Sequence, residues 1–498
     1  MTETGSGSLK ARVERSLGKA TRASLDVTHA SSRSEARTRE TYEADGSSVE
    51  AAVPRARNAR SNLDLDNSEL RGRLTRQFGK SEHKLTIDAS RQHSDSDRML
   101  RSNLLFGPGD DARIEEFRFS IAQSLTQIKA DYARPVGDAS TLQLGYEWER
   151  QHNRYGNSGA GGDGEQALAP LPSFTNRFVH DQSVNALYAT FEHSMARLTT
   201  LAGLRLEQVR LELNQLTLGQ QHSRAYFRAY PTLHLSYKLN DKEQLRASYS
   251  RRVQRPQGQD LNPFPEYRDP LNLRAGNPRL QPQQTDALEL SWQRRVDSTF
   301  YQAALYHRHT RRAFTDVVEE LDGGILLTTR QNLNESRASG LELVANRRLS
   351  PSLVLNASAN LSWNEIESAN LGFPQQRSAF QFGGRGSLNW QPSPRDNLQI
   401  SGFLSGKTLR PQGFRAPSGM INLGYRHKFD DRISFVATVR DLLGNFGETI
   451  VYRTPTFRDR VERRFGGRVA FIGLTYTLTA NQRDRRDPAF DFEAGSTQ

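Results

Sequence analysis

The chain has 498 residues, of which only 35% are hydrophobic, and it carries a formal net charge of +12. This is too little apolar material for the cores of the two or three soluble domains that such a length would normally form. The 24 Phe, 15 Tyr and 4 Trp are nevertheless too many aromatic residues for a disordered chain. The apolar residues must be used economically, as in a transmembrane β-barrel, where only every second residue faces lipid.

Several classes of protein are excluded or disfavoured by composition. The absence of cysteine removes disulfides and thiolate chemistry, and no apolar run approaches the ~20 residues of a membrane-spanning helix. Arginine is scattered along nearly every segment instead of forming one patch, so nucleic acid is not an expected partner. The first residues, MTETGSGSLKARVERS, lack the apolar core of a secretory signal. We therefore expect the true beginning of an envelope protein to be missing.

Strict alternation of apolar and polar residues marks several segments as strands with one lipid-facing side. In 231–239 the apolar row consists of Leu233, Leu235, Tyr237 and Leu239. In 353–364 the apolar row is longer and ends in Trp363, as an aromatic girdle at the membrane interface requires. The last such strand is predicted at 469–478.

The connections between these strands alternate in length. Tight turns are predicted near Gly18, Gly79, Gly137, Ala196, Asp241, Asp297, Pro351, Pro394 and Asp430. Longer polar connections are predicted at 33–66, 94–116, 153–181, 213–226, 253–283, 313–335, 366–377, 409–417 and 444–465. Short periplasmic turns that alternate with long extracellular loops are typical of an outer-membrane barrel, and soluble sandwiches do not show this alternation. The pattern predicts an all-β, transmembrane antiparallel barrel of about nineteen strands over residues 1–478, followed by a charged, disordered tail at 479–498.

Short motifs in a fixed order give the chain a family resemblance. They are GLRLE at 203–207, YPTLHLSYKLNDKEQLRASYSRRVQRP at 230–256, DLNPF at 260–264, GNPRLQP at 276–282, GLEL at 340–343, PQGF at 411–414 and VRDLLGN at 439–445. With these motifs the chain resembles the TonB-dependent receptors, and within them the outer-membrane-protein β-barrel family.

The resemblance implies a barrel of 22 strands around a plug domain, in the outer membrane of a Gram-negative bacterium. Such receptors import a scarce small nutrient, such as a ferric siderophore, cobalamin or a glycan, with energy supplied by TonB. The implied partners are this nutrient, outer-membrane lipid and lipopolysaccharide, and TonB through an N-terminal region; a monomer is expected. The chain departs from this plan in lacking a plug, a TonB box and the first three strands, so we expect a fragment that cannot transport alone.

A basic segment at the mouth of the long connection 253–283 is the candidate substrate site. Its residues are Arg251, Arg252, Arg255, Tyr267, Arg268 and Arg274. Guanidinium groups would bind an anionic ligand such as a siderophore carboxylate. In the competing interpretation the same charges face lipopolysaccharide phosphates or solvate a loop.

Two other motifs are weaker indications of a functional site. Residues 402–408, GFLSGKT, resemble a phosphate-binding loop but are one residue short between the glycines and are predicted as strand. His307 and His309 share a strand face, although the sequence offers no third metal ligand. No cofactor, metal site or catalytic residue is predicted, and the chain is not expected to be an enzyme.

Two alternatives to a nutrient receptor remain open at this point. The first is a passive pore or structural barrel that never had a plug. The second is a soluble, basic, β-rich binding protein, which would need no detergent to stay in solution.

Overall fold

A computed structural model describes residues 2–42, 54–79, 82–106, 112–164, 167–371, 376–430, 432–454 and 458–476. The predicted tail at 479–498 lies outside the described residues. None of the helices in the described ranges is long and apolar enough to cross a membrane.

The described residues form 28 strands and one α-helix. The first half of the chain contains β1 (Thr2–Ser16), β2 (Thr21–Thr41), β3 (Ala56–Gln77), β4 (Lys84–Leu105), β5 (Ala112–Val136), β6 (Ser140–Gly162), β7 (Ala169–Pro170), β8 (Asn176–Met195), β9 (Leu198–Gln215), β10 (Gln220–Asn240), β11 (Glu243–Gln254), α1 (Gly258–Leu261), β12 (Glu266–Asp269) and β13 (Asn272–Ala275). The second half contains β14 (Gln283–Val296), β15 (Thr299–Arg311), β16 (Phe314–Glu320), β17 (Leu326–Asn332), β18 (Glu335–Ser350), β19 (Leu353–Glu367), β20 (Arg377–Ser393), β21 (Asp396–Ser405), β22 (Thr408–Arg410), β23 (Gly413–Arg415), β24 (Ser418–Lys428), β25 (Ile433–Arg440), β26 (Gly447–Arg453), β27 (Arg458–Arg464) and β28 (Val469–Tyr476).

The wall of the molecule is one antiparallel sheet in which each strand pairs with the next wall strand along the chain. The sheet has 20 strands, of which β7 is a two-residue stub against β6. The nineteen remaining strands confirm the predicted number and the all-β fold. Two small sheets of four strands each, β12-β13-β17-β16 and β22-β23-β26-β27, lie in the long connections.

The alternating rows predicted from sequence lie on opposite faces of this wall. Register places Leu233 opposite Tyr249 and Ala202, so apolar rows of neighbouring strands share one face. Large apolar side chains on that face are exposed: Leu187 is 61% and Leu305 is 57% exposed. Because water would penalise so many exposed apolar side chains, this face is the one that contacts lipid.

The tight turns fall where the sequence predicts them. Gly18, Gly79 and Gly137 adopt positive φ angles of 83°, 79° and 70°, which glycine reaches without a steric penalty. Ala196 and Asp297 adopt φ angles of 49° and 52° in two-residue turns. These connections lie together at one end of the wall, the periplasmic end.

The strands extend much further into the opposite, extracellular end than the sequence indicates. The predicted loop 213–226 shrinks to a turn at 216–219, and strand structure also occupies most of 94–116. Strands β2 to β6 have 15 or more residues, up to 25 in β5, whereas crossing the membrane takes only ~9–11. Above the membrane both faces meet water, so the apolar alternation disappears although the hydrogen-bonded pairing continues.

Two of the remaining connections fold over the mouth of the barrel and contact its inner wall. We call residues 255–282 and 313–334 the cap; they include α1 and the sheet β12-β13-β17-β16. Leu261 and Leu280 are each 1% exposed and pack in one cluster with Tyr155 and Phe178. A second cluster joins the cap to Phe117 and other inward residues of the early strands. The cap is therefore a packed structure and not a solvated loop.

Candidate functional site

Arginine and tyrosine side chains alternate along the inner wall just below the cap. On β10, Arg224 and Arg228 share the inward face with Tyr226 and Tyr230, because the odd-numbered residues of this strand face lipid. Residues 220–226 fall in the predicted loop 213–226, and the predicted strand begins only at 231. Extending the alternation of 231–239 backwards would have found these residues.

A charge network fixes the lower part of this wall to the start of the cap. Glu207 is 3% exposed and accepts a hydrogen bond from Arg205 Nε at 2.7 Å and another from Arg255. Arg205 also donates through Nη1 to Glu147 at 2.9 Å. Two guanidinium groups and two carboxylates thus neutralise one another, so this network holds the wall and cap in place and leaves little charge for a ligand.

A second group of cations is less compensated. Arg312 follows β15 at the mouth, and its pKa is lowered by burial and by the nearby charges of Arg228, Arg224 and Arg311. Arg224 donates to the backbone oxygens of residues 280 and 279 at 3.2 and 3.3 Å, and Arg228 lies over the ring of Tyr226 at 5.3 Å. We call Arg224, Arg228 and Arg312 the arginine cluster. Among the described residues none of these three has a carboxylate within 4.0 Å, whereas Arg311 lies on the outward face and contacts Asp286 at 3.8 Å.

The arginine cluster creates a positive potential at the inner mouth of the barrel. Repulsion among its cations is relieved when an anion binds, because each guanidinium group offers several N–H donors to oxygen. Tyrosine side chains of the same wall offer aromatic faces and hydroxyl groups. Tyr230 has a buried hydroxyl group without a hydrogen-bond partner. The wall can therefore hold an anionic ligand that also presents aromatic or polar surface.

The structure distributes the first three predicted site residues over different environments. Arg251 lies in the outward row and donates to Asp286 at 2.7 Å, so it faces away from the lumen. Arg252, one position later, faces the lumen and is exposed. Arg255 is engaged by buried Glu207.

The other three predicted residues belong to the cap. Tyr267 is 4% exposed, stacks on Phe117 with 4.1 Å between ring centroids and donates to Glu115 at 2.8 Å. Burial and the carboxylate of Glu115 raise the pKa of Tyr267. Arg268 and Arg274 lie near carboxylates of the cap itself, at 3.4 and 3.5 Å. The six residues thus do not form one surface, and their role in substrate binding stays a prediction.

The two weaker motifs, the histidine pair and the glycine-rich segment 402–408, lie in or begin in strands of the wall. His307 and His309 lie on the outward face, where they contact Ser339 at 2.8 Å and Glu335 at 2.7 Å. Throughout the described ranges, no group of three or more His, Cys, Asp or Glu side chains could hold a metal ion. The glycine-rich motif begins inside strand β21, as predicted.

These features define the class of protein, an outer-membrane β-barrel with an inward-packed extracellular cap. The chain belongs to the outer membrane protein beta-barrel family, whose model matches residues 76–476. The barrel therefore lies in the outer membrane of a Gram-negative bacterium. No curated protein sequence matches the chain.

Solved structures with a similar fold include receptors for metal-bearing ligands. The ferripyoverdine receptor of Pseudomonas aeruginosa is 12% identical, with a TM-score of 0.62 over 95% of this chain and 65% of that one. The ferric preacinetobactin receptor BauA from Acinetobacter baumannii is 13% identical, with a TM-score of 0.61 over 95% and 72%. The copper transporter OprC is 13% identical, with a TM-score of 0.56 over 95% and 80%. The chain thus spans about two thirds of the ferripyoverdine receptor, and at these identities the likeness concerns the fold.

Proposed function

We propose that this barrel is the receptor portion of a TonB-dependent importer and that it binds an anionic nutrient complex of the ferric siderophore class beneath its cap. The observation that carries the proposal is the arginine cluster beside Tyr226 and Tyr230. Ferric complexes of carboxylate or catecholate ligands carry negative charge and present planar, polarisable surface, which suits guanidinium and phenol groups. A neutral glycan would gain little from three neighbouring cations.

Transport in this proposal belongs to the whole protein. Ligand binding beneath the cap comes first, and movement through the lumen follows when TonB acts on a plug domain. The ferripyoverdine receptor and the ferric preacinetobactin receptor, which have a similar fold, support the ligand class. The competing function is a passive pore, which requires no selective binding.

Binding of chemically distinct probes to the full chain in detergent tests the proposal. The probes are an anionic ferric tris-catecholate, a neutral ferric hydroxamate, cyanocobalamin and a linear maltooligosaccharide, each titrated by isothermal calorimetry. We expect the tris-catecholate to bind most tightly. Substituting Arg228→Ala together with Arg312→Ala should weaken this binding by at least about ten-fold, since hydrogen bonds to charged groups contribute ~1.5–3 kcal/mol each.

The matched control removes an arginine from the outer face. Arg294 pairs with Glu243 at 3.0 Å near the periplasmic end, so Arg294→Ala should leave binding unchanged. Equal affinity for all four probes, or an unaltered affinity of the double variant, would contradict the proposal. A steady ohmic current in planar bilayers, insensitive to the tris-catecholate, would instead favour the passive pore.

A further inference from the structure

One histidine is completely enclosed where the cap meets the inner wall. His180 lies on the inward face of β8, where register sets it between Asn153 of β6 and Leu213 of β9, and it is 1% exposed. It lies 15 residues before Met195, at the periplasmic end of β8, which at ~3.4 Å per residue and a tilt of ~45° is ~36 Å. Because the apolar band of an outer membrane is only ~25 Å tall, His180 belongs to the extracellular part of the barrel.

The backbone of the cap rests directly on this histidine. A Cβ atom added to Gly258, in helix α1, would lie 3.1 Å from Cγ of His180 and 2.4 Å from the hydroxyl oxygen of Tyr155. The approach is so close that only glycine fits without lifting the helix off the wall. Leu261 and Leu280 of the cap pack in the same cluster as Tyr155. It is therefore the docked cap that separates His180 from water.

The imidazole ring is surrounded by groups that suit its neutral form. Its Nδ1 lies 3.5 Å from Nδ2 of Asn153, and its Nε2 has no hydrogen-bond partner among the described residues. Within the same residues no carboxylate lies within 4.0 Å of His180. A protonated His180 would thus be a buried cation without a counter-ion, which is strongly unfavourable. Burial accordingly lowers the pKa of His180 from 6.5 to about 4, against the smaller opposing effect of Asp181.

The neighbouring charges do not offset this cost. The titratable and charged groups on the elements around His180 are Asp181 on β8, His152 and Tyr155 on β6, Glu212 on β9, His222 and Arg224 on β10, and Asp260, Arg274, Arg279, Asp316 and Arg330 in the cap. Asp181 points to the opposite face of its strand and pairs with His152 at 2.8 Å. Asp260 is 3.2 Å from Arg330, which also binds Asp316 at 3.1 Å. The nearby carboxylates are therefore engaged elsewhere.

Docking of the cap is consequently linked to the charge of one side chain. With the cap docked the pKa of His180 is about 4, whereas on an open wall it returns to the ordinary value of 6.5. The docked form binds the proton less tightly, so docking is at full strength above pH 6.5 and weakens as the pH falls from 6.5 towards 4. For these two values the docking equilibrium constant decreases by about 30-fold between pH 7.5 and pH 5.

We propose that His180 is a proton-operated latch, which keeps the cap docked while it is neutral and releases the cap from the inner wall when it is protonated. Release breaks the bonds that Arg224 donates to the backbone oxygens of residues 280 and 279 at 3.2 and 3.3 Å. Acid thereby uncovers the arginine cluster. This consequence for the nutrient rests on the proposed function, whereas the proton dependence of docking does not.

Hydrogen–deuterium exchange of the full chain in detergent, without any ligand, tests the latch. Exchange is measured at pH 7.5 and pH 5, and each rate is divided by the intrinsic rate of the same peptide at that pH. The reporters are amides of β13, which pairs in parallel with β17 inside the cap. Their protection in the wild type should fall by about 30-fold at pH 5. Amides of the wall strands β14 and β15 should keep their protection.

A variant that cannot take up the proton isolates His180. In His180→Gln the protection of β13 should be the same at both pH values. The matched control is His152→Gln, which removes a histidine from the outward face of the adjacent strand, where it pairs with Asp181 at 2.8 Å. This control should show the same 30-fold fall as the wild type.

Three results would overturn the latch. They are constant protection of β13 in the wild type, a fall that persists in His180→Gln, and a fall that is lost equally in His152→Gln. If the cap of His180→Gln is already undocked at pH 7.5, His180→Leu, which presents apolar surface to the same cluster, is measured against the same criteria. Because no ligand is present, failure of the latch leaves the probe titrations of the proposed function unaffected.

Discussion

Removing the aromatic ring of Tyr267 should release the cap from the inner wall without unfolding the barrel. The ring is 4% exposed and stacks on Phe117 at 4.1 Å, and its hydroxyl group donates to Glu115 at 2.8 Å. Truncating a buried aromatic side chain costs ~3–5 kcal/mol. The wall strands do not depend on this contact, because their hydrogen bonds run from strand to strand. We therefore expect Tyr267→Ala to weaken cap docking by ~3 kcal/mol or more.

Hydrogen–deuterium exchange measures this loss locally. Strand β13 pairs in parallel with β17, so its amides are protected only while the cap sheet is formed and docked. A loss of ~3 kcal/mol should speed their exchange by about two orders of magnitude, while amides of β14 and β15 should keep their rates. Arg268→Ala, one residue away on an exposed side chain, is the control. Unchanged exchange in β13, or faster exchange throughout the wall, would refute the anchoring role of Tyr267.

Two further variants test the cap contact of Tyr267 and a close backbone approach within the wall. Tyr267→Phe should remove a pH dependence of cap docking. Burial and the carboxylate of Glu115 raise the pKa of Tyr267. The stabilisation that the tyrosine gives to docking is therefore complete below the ordinary tyrosine pKa of ~10 and decreases progressively as the pH rises above it. The conductance of the wild type in a planar bilayer should be higher at pH 11 than at pH 9, and that of the variant should be the same at both. An equal increase in the two proteins would contradict this. Gly340→Ala should destabilise the wall by ~1–3 kcal/mol, because a Cβ there would lie 2.6 Å from the backbone oxygen of Leu361. Gly72→Ala, with no atom within 4 Å of its Cβ, is the control in a thermal melt, and equal melting temperatures of the two variants would argue against the close approach.

The local alternation of apolar and polar residues was sufficient to predict the membrane-spanning part of the fold. The rows ending in Trp363 and the turns at Gly18 and Gly137 depend on neighbours a few residues apart, since side chains of a strand alternate with period two. For that reason the sequence predicted the barrel, the number of strands and the periplasmic turns. The same argument stops at the membrane surface, where polar residues on both faces leave no apolar row to follow. The extracellular ends of β2, β3, β4, β6 and β10 were therefore taken for loops.

The candidate site required the tertiary structure for two physical reasons. Adjacent residues of a strand point to opposite faces, so Arg251 and Arg252 cannot both face the lumen, and the pairing of β11 with β14 is what places Arg251 beside outward Asp286. Tyr267 is anchored by Glu115, 152 residues away in sequence, and no local pattern reports such a contact. The sequence by itself determined a lipid-facing barrel of about nineteen strands, because that information repeats every two residues. Only the tertiary structure decided that the cap packs into the mouth and that Arg228 and Arg312 meet there, because these juxtapositions depend on register across several strands.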